Sequence, residues 1–246
     1  MVEGPGVRLN AEKLQRSVLR GVVRAVSGRA LNCSAASVLI GQVLHCVASL
    51  GKELFLFFQS QHIDSNETCL RLHFGMDGSL LIDRPHRYKN ETCLEIAFDR
   101  SMVLVYDTRA EFRDPIESRQ RVMEMRDHDV CSEEFNPTTT TSRLICRGGD
   151  QILADLVGVP VSNCSHWPDD LQLLDQSIFP GSGNIIKNEA LHRAGLDPRV
   201  RGGELSEEAA ARLVAEVRAF SMLFYDCRRR RRPLKAHCAV YCRRAW

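Results

Sequence analysis

Residues 173–198 read Leu-Leu-Asp-Gln-Ser-Ile-Phe-Pro-Gly-Ser-Gly-Asn-Ile-Ile-Lys-Asn-Glu-Ala-Leu-His-Arg-Ala-Gly-Leu-Asp-Pro. The glycine-rich turn at 181–183 precedes a helix-forming sequence, and glycines let a backbone approach a ligand closely. Free N–H groups and the helix dipole at such a start favour a phosphate, and Asn184 is a good N-cap residue. The stretch predicts a phosphate-binding helix start, with a plain glycine turn capped by Asn184 as the alternative. We expect four apolar side chains of this helix to face a core: Ile185, Ile186, Leu191 and Ala194.

The chain begins Met1-Val2-Glu3-Gly4-Pro5. Removal of Met1 would leave Val2 with a free α-amine, whose pKa of ~7.7–8.0 lies well below the ~10.4 of a lysine. A neutral amine of this kind attacks a sugar or carbonyl carbon to form a Schiff base, and Glu3 is placed to move protons for it. The alternative is an ordinary terminus, in which Glu3 complements the dipole of the first helix.

Two further motifs lie between these segments. Residues 50–55 read Leu-Gly-Lys-Glu-Leu-Phe, and residues 73–78 read His-Phe-Gly-Met-Asp-Gly. With the N-terminus and the 173–198 stretch, these ordered motifs over residues 2–200 resemble the formamidopyrimidine-DNA glycosylase and endonuclease VIII family. The resemblance implies an α+β protein, with an N-terminal β-sandwich and flanking helix before a C-terminal helix–two-turn–helix domain.

The resemblance also implies the catalytic pair. Val2 would be the nucleophile at a position where most of the family has proline, and its primary amine should still form an imine. Glu3 would act as general acid and base, opening the deoxyribose ring and protonating the leaving base. The change from proline to valine leaves glycosylase chemistry in place and weakens the coupled strand cleavage.

Five residues are implied as DNA contacts by the same resemblance. Lys52 and Asn184 would bind the phosphate backbone, with Lys187 adding a contact on the same turn as Asn184. Met76 would enter the gap left by an everted nucleotide, and Arg109 matches an arginine of the family. The aromatic residue that follows this arginine in the family is replaced by Glu111, whose charge should repel phosphates and leave the duplex wedge incomplete.

The function implied is a nuclear, monomeric DNA glycosylase that removes oxidised pyrimidines and further-oxidised guanines and prefers single-stranded DNA. It would form a Schiff base, carry out weak β-elimination at abasic sites and need no cofactor. The main alternative is a catalytically impaired DNA-binding scaffold, and a more distant one is an RNA- or protein-interaction module.

Hydrophobic patterning predicts the elements around these motifs. Short apolar runs typical of strands occur at 54–58, 70–74, 79–82, 94–98 and 102–106. Helices are predicted at 8–25, from Pro115 to about 126, and from about Ser206 to 225. The domains are then expected at 1–130 and 149–246, joined by a linker at 131–148. An interruption at 158–170 has no counterpart in the family.

Composition narrows the class of protein. The chain has 246 residues, of which 44% are hydrophobic and 26% charged, which is ordinary for a globular protein and argues against disorder. No apolar run approaches ~18 residues, so no membrane span is expected, and neither is a signal peptide. The ten cysteines are expected to be reduced. Cys238 and Cys242 lack the Cys-x-x-Cys spacing of zinc sites, so we expect no metal, although the family usually carries a zinc hairpin.

Basic residues are concentrated near the end of the sequence. Residues 226–246 hold eight basic side chains against one acid, Asp226, although the net charge of the chain is only +2. Such a run suits a polyanion partner. A solvated tail or a localisation signal remains an equal alternative.

Overall fold

The computed structural model describes residues 2–60, 66–75, 77–85, 91–149, 151, 153 and 176–241. The chain divides into two units, of which the first contains Met1–Val2 and Val7–Glu124 and the second contains Glu3–Gly6 and Met125–Trp246. The interruption predicted at 158–170 lies outside the described residues.

The first unit is a β-sandwich. Its described strands are β1 (Val23–Ser27), β2 (Val43–Leu50), β3 (Glu53–Gln59), β4 (Thr68–His73), β5 (Ser79–Ile82), β6 (Leu94–Phe98), β7 (Met102–Tyr106) and β8 (Arg109–Arg113). They form two four-stranded antiparallel sheets, ordered β1-β6-β7-β5 and β2-β3-β4-β8. Three helices accompany them: α1 (Gly4–Ser17), α2 (Cys33–Ser37) and α3 (Pro115–Met125).

The core of this unit lies between the sheets, and the apolar face of α1 packs against it. Buried side chains of both sheets and of α1 form one cluster, as alternation along each strand requires. Strand β3 is apolar on both faces because its second face is also covered, and the Arg119 guanidinium of α3 lies 4.2 Å from the centre of the Phe57 ring. The predicted sandwich is confirmed.

The helix predicted at 8–25 is only partly correct. The helix α1 begins at Gly4 and ends at Ser17, and Val23 already belongs to β1. Arg20 adopts the left-handed conformation, with φ of 66°, which an α-helix does not tolerate within a run. Val22, Val23 and Val26 are β-branched and favour a strand, so the chain turns here and pairs with β6.

The second unit is helical in its described part. Its α-helices are α4 (Pro137–Gly148), α5 (Asn184–Ala194) and α6 (Glu207–Arg229), and short 3₁₀ helices lie at Gly202–Glu204 and Leu234–His237. Helix α6 follows its prediction closely, because the Ser206 side chain accepts the Ala209 N–H at 3.2 Å. An apolar stripe along α6 is buried: Ala210, Leu213, Val214, Val217, Phe220 and Phe224.

The segment assigned as a linker at 131–148 contains helix α4. Asn136 caps this helix by accepting the N–H groups of Thr138 and Thr139 at 2.9 and 3.2 Å. Pro137 occupies the first helical turn, where its missing N–H costs nothing. Leu144 is buried in the core of the second unit, so the threonine-rich segment is part of that core.

Candidate active site

Val2 and Glu3 are held by different parts of the chain. The half-buried side chain of Val2 packs against the core of the first unit, whereas Glu3 is grouped with the second unit and is only 1% exposed. Helix α1 starts directly after them, and the Glu3 carbonyl accepts the Gly6 N–H at 2.8 Å. The backbone that carries any Val2 amine is therefore fixed on its C-terminal side.

The Glu3 carboxylate caps helix α5. Its Oε1 accepts the Ile185 N–H at 2.9 Å, and its Oε2 accepts the Ile186 N–H at 3.3 Å. The first N–H groups of a helix have no partner within it, and the positive end of the helix dipole attracts a carboxylate. Glu3 therefore caps helix α5 in place of the residue at the N-cap position. That residue is Gly183, 180 positions after Glu3, and it has no side chain that could accept these N–H groups.

Two glycines make this approach possible. A Cβ on Gly183 would lie 2.5 Å from Oε1 and 2.6 Å from Cδ of Glu3. A Cβ on Gly4 would lie 2.8 Å from the Gly181 Cα, and the Gly4 N–H donates to the Gly181 carbonyl at 2.9 Å. Any larger residue at position 183 would displace the carboxylate, so Gly183 contributes to this site through the space that it leaves.

These contacts correct the phosphate-binding helix start that we predicted at Asn184. Asn184 is the first residue of α5 and Gly183 is its cap residue, so the N-cap assignment to Asn184 is wrong. The N–H groups of Ile185 and Ile186 are bonded to Glu3 and are not open to a phosphate. Lys187 is 4% exposed, which argues against a direct surface contact with DNA. Asn184 itself is half-buried.

Lys52 and Arg109 both lie close to His73 in the first unit. Lys52 follows Gly51 in the two-residue turn between β2 and β3, and Gly51 has a φ of 57°, as the first position of a type II′ turn requires. Arg109 pairs with His73 across β8 and β4. Burial lowers the pKa of His73, and the positive charges of Arg71, Lys52 and Arg109 lower it further, while the charge of Glu53 opposes them. Lys52 and Arg109 therefore place positive charge beside an imidazole whose pKa lies below its usual value.

The residue predicted to enter the DNA gap, Met76, lies outside the described residues. The backbone on either side of it forms a tight turn, in which Gly75 has a φ of 54° and the Gly78 N–H donates to the Phe74 carbonyl at 2.8 Å.

Glu111 is held by two arginines. Its carboxylate accepts hydrogen bonds from Arg71 and, at 2.6 Å, from Arg113. Burial pushes the pKa of Glu111 up, but the bonds from Arg113 and Arg71 outweigh this effect and the pKa lies below its usual value. The sequence suggested an acid whose charge repels phosphates, whereas the structure compensates that charge with neighbouring guanidinium groups.

The sequence gives no indication of one residue that lies near Glu3. Arg228, in the last turn of α6, has a pKa below the usual value because the surrounding protein desolvates its guanidinium, while the charge of Glu3 acts in the opposite direction. Its guanidinium lies 5.1 Å from the centre of the Phe224 ring. The basic run gave a signal, but nothing in the sequence related Arg228 to Glu3.

Three further features of the described residues concern their thiols, metal-binding groups and membrane-spanning helices. Seven cysteines of the described part carry free thiols, including the buried Cys238, whereas Cys242 lies outside it. Among the described residues, no group of three or more His, Cys, Asp or Glu side chains is arranged to hold a metal ion. None of the described helices has the length and apolarity needed to cross a membrane.

Comparison with known proteins identifies relatives of this arrangement. Residues 1–113 match the formamidopyrimidine-DNA glycosylase N-terminal domain. The chain is 36% identical over 274 aligned positions to endonuclease 8-like 3 of Mus musculus and 34% identical over 274 positions to that of Homo sapiens. Each alignment covers 98% of this chain and 41% of the relative, so the chain spans less than half the length of these proteins.

Solved structures share the fold at lower identity. A viral DNA glycosylase superposes with a TM-score of 0.76 at 19% identity, covering 94% of this chain and 84% of that one. The formamidopyrimidine-DNA glycosylase of Lactococcus lactis, bound to DNA with an abasic site, gives a TM-score of 0.69 at 16% identity and covers 92% of this chain and 82% of that one. Residues 1–113 thus form a formamidopyrimidine-DNA glycosylase N-terminal domain, in a chain that is similar over nearly its whole length to endonuclease 8-like 3.

Proposed function

We propose that this protein is a DNA glycosylase of base excision repair, with an accompanying abasic-site lyase activity. The observation that carries the proposal is the position of Glu3, whose carboxylate is fixed at the start of α5 by two backbone N–H groups. Fixed placement of an acid beside a nucleophile is what general acid–base catalysis requires. The similarity to endonuclease 8-like 3 supports the same assignment, and so does the abasic-site DNA bound by the Lactococcus lactis relative.

In the proposed reaction, the Val2 amine attacks C1′ of the damaged nucleotide. The bond between C1′ and the base breaks, and the base leaves with a proton delivered through Glu3. Protonation of the ring oxygen opens the deoxyribose and leaves a protonated imine between Val2 and C1′. Loss of a C2′ proton then breaks the bond from C3′ to its phosphate oxygen, or water hydrolyses the imine and frees the enzyme.

The cap of α5 positions the Glu3 carboxylate for this work. The helix cap holds the side chain in one rotamer, so little conformational entropy is lost when a substrate proton is transferred.

The DNA contacts are proposed from the first unit and from α5. Lys52 and Arg109 place positive charge around His73 at one sheet edge, which suits a phosphate backbone. Asn184 is proposed to bind a phosphate through its side chain, since the helix N–H groups that follow it are bonded to Glu3. Lys187, being buried, is proposed to support the fold of α5, and Met76 is proposed to occupy the gap left by the everted nucleotide.

We further propose oxidised pyrimidines and further-oxidised guanines as substrates, in single-stranded DNA by preference, with a monomeric enzyme acting in the nucleus. No cofactor enters the proposed chemistry. The strand cleavage is proposed to be weak because Val2 supplies a primary amine.

Borohydride trapping tests the catalytic assignment. The protein without Met1 is incubated with a single-stranded abasic oligonucleotide and reduced, and a covalent adduct on the Val2 amine is expected. An N-terminal tag or N-terminal acetylation should abolish the adduct because it removes the free amine. Adduct formation that persists in the tagged protein would show that a lysine, and not Val2, is the nucleophile.

A DNA-binding scaffold is the second candidate, and one observation favours it. Glu3 is 1% exposed and both of its oxygens already accept hydrogen bonds, which is also what a purely structural cap would show. Glu3→Gln separates the two functions. If Glu3 is catalytic, the variant loses base excision while its DNA affinity stays unchanged; a wild-type protein that binds abasic DNA without any adduct or excision is a scaffold.

A further inference from the structure

The C-terminal end of α6 carries a concentrated positive charge. Between residues 226 and 241 there are six basic side chains and one acid, Asp226, giving a net charge of +5. Since the whole chain has a net charge of +2, the remaining residues sum to −3. We call the cluster formed by residues 228–232 and Lys235 the arginine end.

The backbone of the arginine end forms a tight helix terminus. The Arg232 N–H donates to the Cys227 carbonyl at 2.8 Å, and the Arg231 N–H donates to the Arg228 carbonyl at 3.2 Å. These two bonds define a Schellman motif, whose C′ position is usually glycine because it requires the left-handed conformation. Here that position is Arg231, with a φ of 55°. The chain thus places a charged side chain where glycine would be the unstrained choice.

Internal ion pairs account for only part of this charge. Asp226 lies 3.6 Å from Arg229 and 3.3 Å from Arg230. Arg231, Arg232 and Lys235 are exposed, and no carboxylate in the described part of the chain lies within salt-bridge distance of them. Three cations at one helix end exceed the roughly half-unit negative charge of the helix dipole there.

The arginine end also lies near the candidate catalytic acid in the second unit. Glu3 caps the start of α5, and Glu189, one turn further along the same helix, accepts the N–H groups of Ala239 and Tyr241 just after the arginine end. The charge of Glu3 also acts on Arg228, one residue from the end of α6. An extended anion that reaches Glu3 would therefore pass close to the arginine end. A nucleic-acid strand carries repeated phosphates and can engage several cations at once, which a single small anion cannot.

We infer that Arg231, Arg232 and Lys235 bind backbone phosphates of the DNA strand whose damaged nucleotide reaches Glu3. This inference rests on the proposed function for the identity of the strand. Guanidinium groups bind phosphate oxygens through paired N–H donors, and these contacts carry no base information. The arginine end thus adds sequence-independent affinity outside the sandwich contacts of Lys52 and Arg109.

Substitution of Arg231 by glycine separates a binding role from a structural one. Arg231→Gly removes the charge and relieves the left-handed strain, so it should raise the melting temperature while it weakens DNA binding. A residue with only a structural role could not give these opposite signs. Arg20→Gly is a matched control, because Arg20 is also exposed and left-handed, with φ of 66°, but lies in the first unit after α1.

Binding is measured by fluorescence anisotropy with a single-stranded oligonucleotide that contains tetrahydrofuran, an abasic analogue that cannot be cleaved. The plot of log K against log salt should become shallower by about 0.7 for Arg231→Gly, and by about 2 when Arg232→Ala and Lys235→Ala are added. Arg20→Gly should raise the melting temperature and leave the slope unchanged.

Two results would overturn the inference. An unchanged slope in the triple variant would mean that the arginine end is a solvated surface, and an equal change in Arg20→Gly would mean that only total charge matters. The trapping experiment fails or succeeds separately. If wild-type protein forms no adduct but the triple variant flattens the slope, the glycosylase assignment fails while the phosphate-binding surface stands.

Discussion

At the scale of single residues, the proposed chemistry depends on the Glu3 carboxylate, which also caps a helix. Glu3 stabilises the start of α5 by accepting its unpaired N–H groups, and it is proposed to move protons at the damaged nucleotide. Both roles depend on where the carboxylate lies, because general acid–base catalysis requires a fixed position of the proton-transferring group. A change in the loop that forms the cap should therefore alter catalysis without touching either Val2 or Glu3.

Gly183→Ala tests this dependence. The new Cβ would lie 2.5–2.7 Å from Glu3 side-chain atoms, so the carboxylate must move, and even a ~1 Å misplacement can lower a rate by about 100-fold. We expect single-turnover base excision to fall by about 10–100-fold while affinity for single-stranded DNA stays within about twofold.

The double variant Glu3→Asp/Gly183→Ala is the control for the clash. Aspartate is one methylene shorter and frees the space that the new methyl group needs, so the melting temperature lost in Gly183→Ala should recover in part. Excision by Gly183→Ala at the wild-type rate would mean that the carboxylate position seen here is not the reactive one.

The sequence indicates where a residue lies when its surroundings are adjacent in sequence, and not when they depend on long-range contacts. The helix start at Asn136 and Pro137 follows from adjacent residues. The cap of α5 by Glu3 joins positions 3 and 185, and no local pattern indicates it. Asn184 is a good N-cap residue in isolation, but a carboxylate from the first residues of the chain makes its capping unnecessary.

At the scale of elements, the hydrophobic pattern predicted buried elements well and polar ones poorly. The apolar runs of β3, β6 and β7 were predicted as strands because each strand lies inside its sheet, with a hydrogen-bonded strand on both sides. Strand β8 was missed because it carries arginines at both ends and Glu111 at its centre, where cross-strand ion pairs with Arg71 replace apolar contacts. Helix α4 was missed because four threonines resemble a loop, although Asn136 and Pro137 form a good helix start.

Helix α5 has a second carboxylate whose function is local. Glu189 is fully buried and accepts the N–H groups of Ala239, Val240 and Tyr241 at 2.7, 2.8 and 2.7 Å. Arg193, one turn later, donates to the His237 carbonyl at 2.9 Å. Helix α5 therefore holds the segment after α6 on one side and receives Glu3 at its start.

Glu189→Gln should release this segment in a pH-dependent way. Burial alone would raise the pKa of Glu189, but the three backbone N–H groups and Arg193 outweigh burial and the pKa lies below 4.5. A depressed pKa in the folded state means that the carboxylate stabilises the fold above the unfolded value of ~4.3 and loses this effect as pH falls through the folded value.

Hydrogen exchange measures this release directly. The amides of Ala239, Val240 and Tyr241 should lose protection in Glu189→Gln at pH 7, by an amount near the ~1.5–3 kcal/mol of a hydrogen bond to a charged group. The difference from wild type should shrink as pH falls through the folded-state pKa of Glu189, which lies below its usual value. Glu134→Gln, which removes an exposed partner of Arg126, should leave these amides unchanged. A difference between wild type and Glu189→Gln that persists at acid pH would show that shape, and not charge, holds the segment.

At the scale of the whole molecule, the distribution of charge suits a polyanion that is bound at a few positions and not along the whole surface. The net charge of +2 is too small to attract DNA over the entire surface. Lys52 and Arg109 lie near His73 in the first unit, and the arginine end carries a net positive charge in the second. We therefore expect the free energy of DNA binding to come from few phosphate contacts. Few contacts leave little binding energy to offset the opening of a duplex.

Single-stranded DNA is therefore the expected substrate form. Everting a nucleotide from a duplex costs a few kcal/mol, which inserted side chains normally offset, and Glu111 occupies the position to which the resemblance assigns an aromatic residue. Because Arg71 and Arg113 already compensate the charge of Glu111, the missing ring and not the added charge should limit duplex activity.

In single-turnover assays, wild-type protein should cleave a lesion faster in a single strand than in the matched duplex. Glu111→Phe should narrow this gap, provided that its melting temperature shows that Arg71 tolerates the loss of its partner. Glu111→Gln removes the charge without adding a ring, so it should leave the difference between single-stranded and duplex rates unchanged. If Glu111→Gln narrows this difference as much as Glu111→Phe, charge repulsion is its cause. Wild-type rates that are equal or faster on duplex would contradict the single-strand preference.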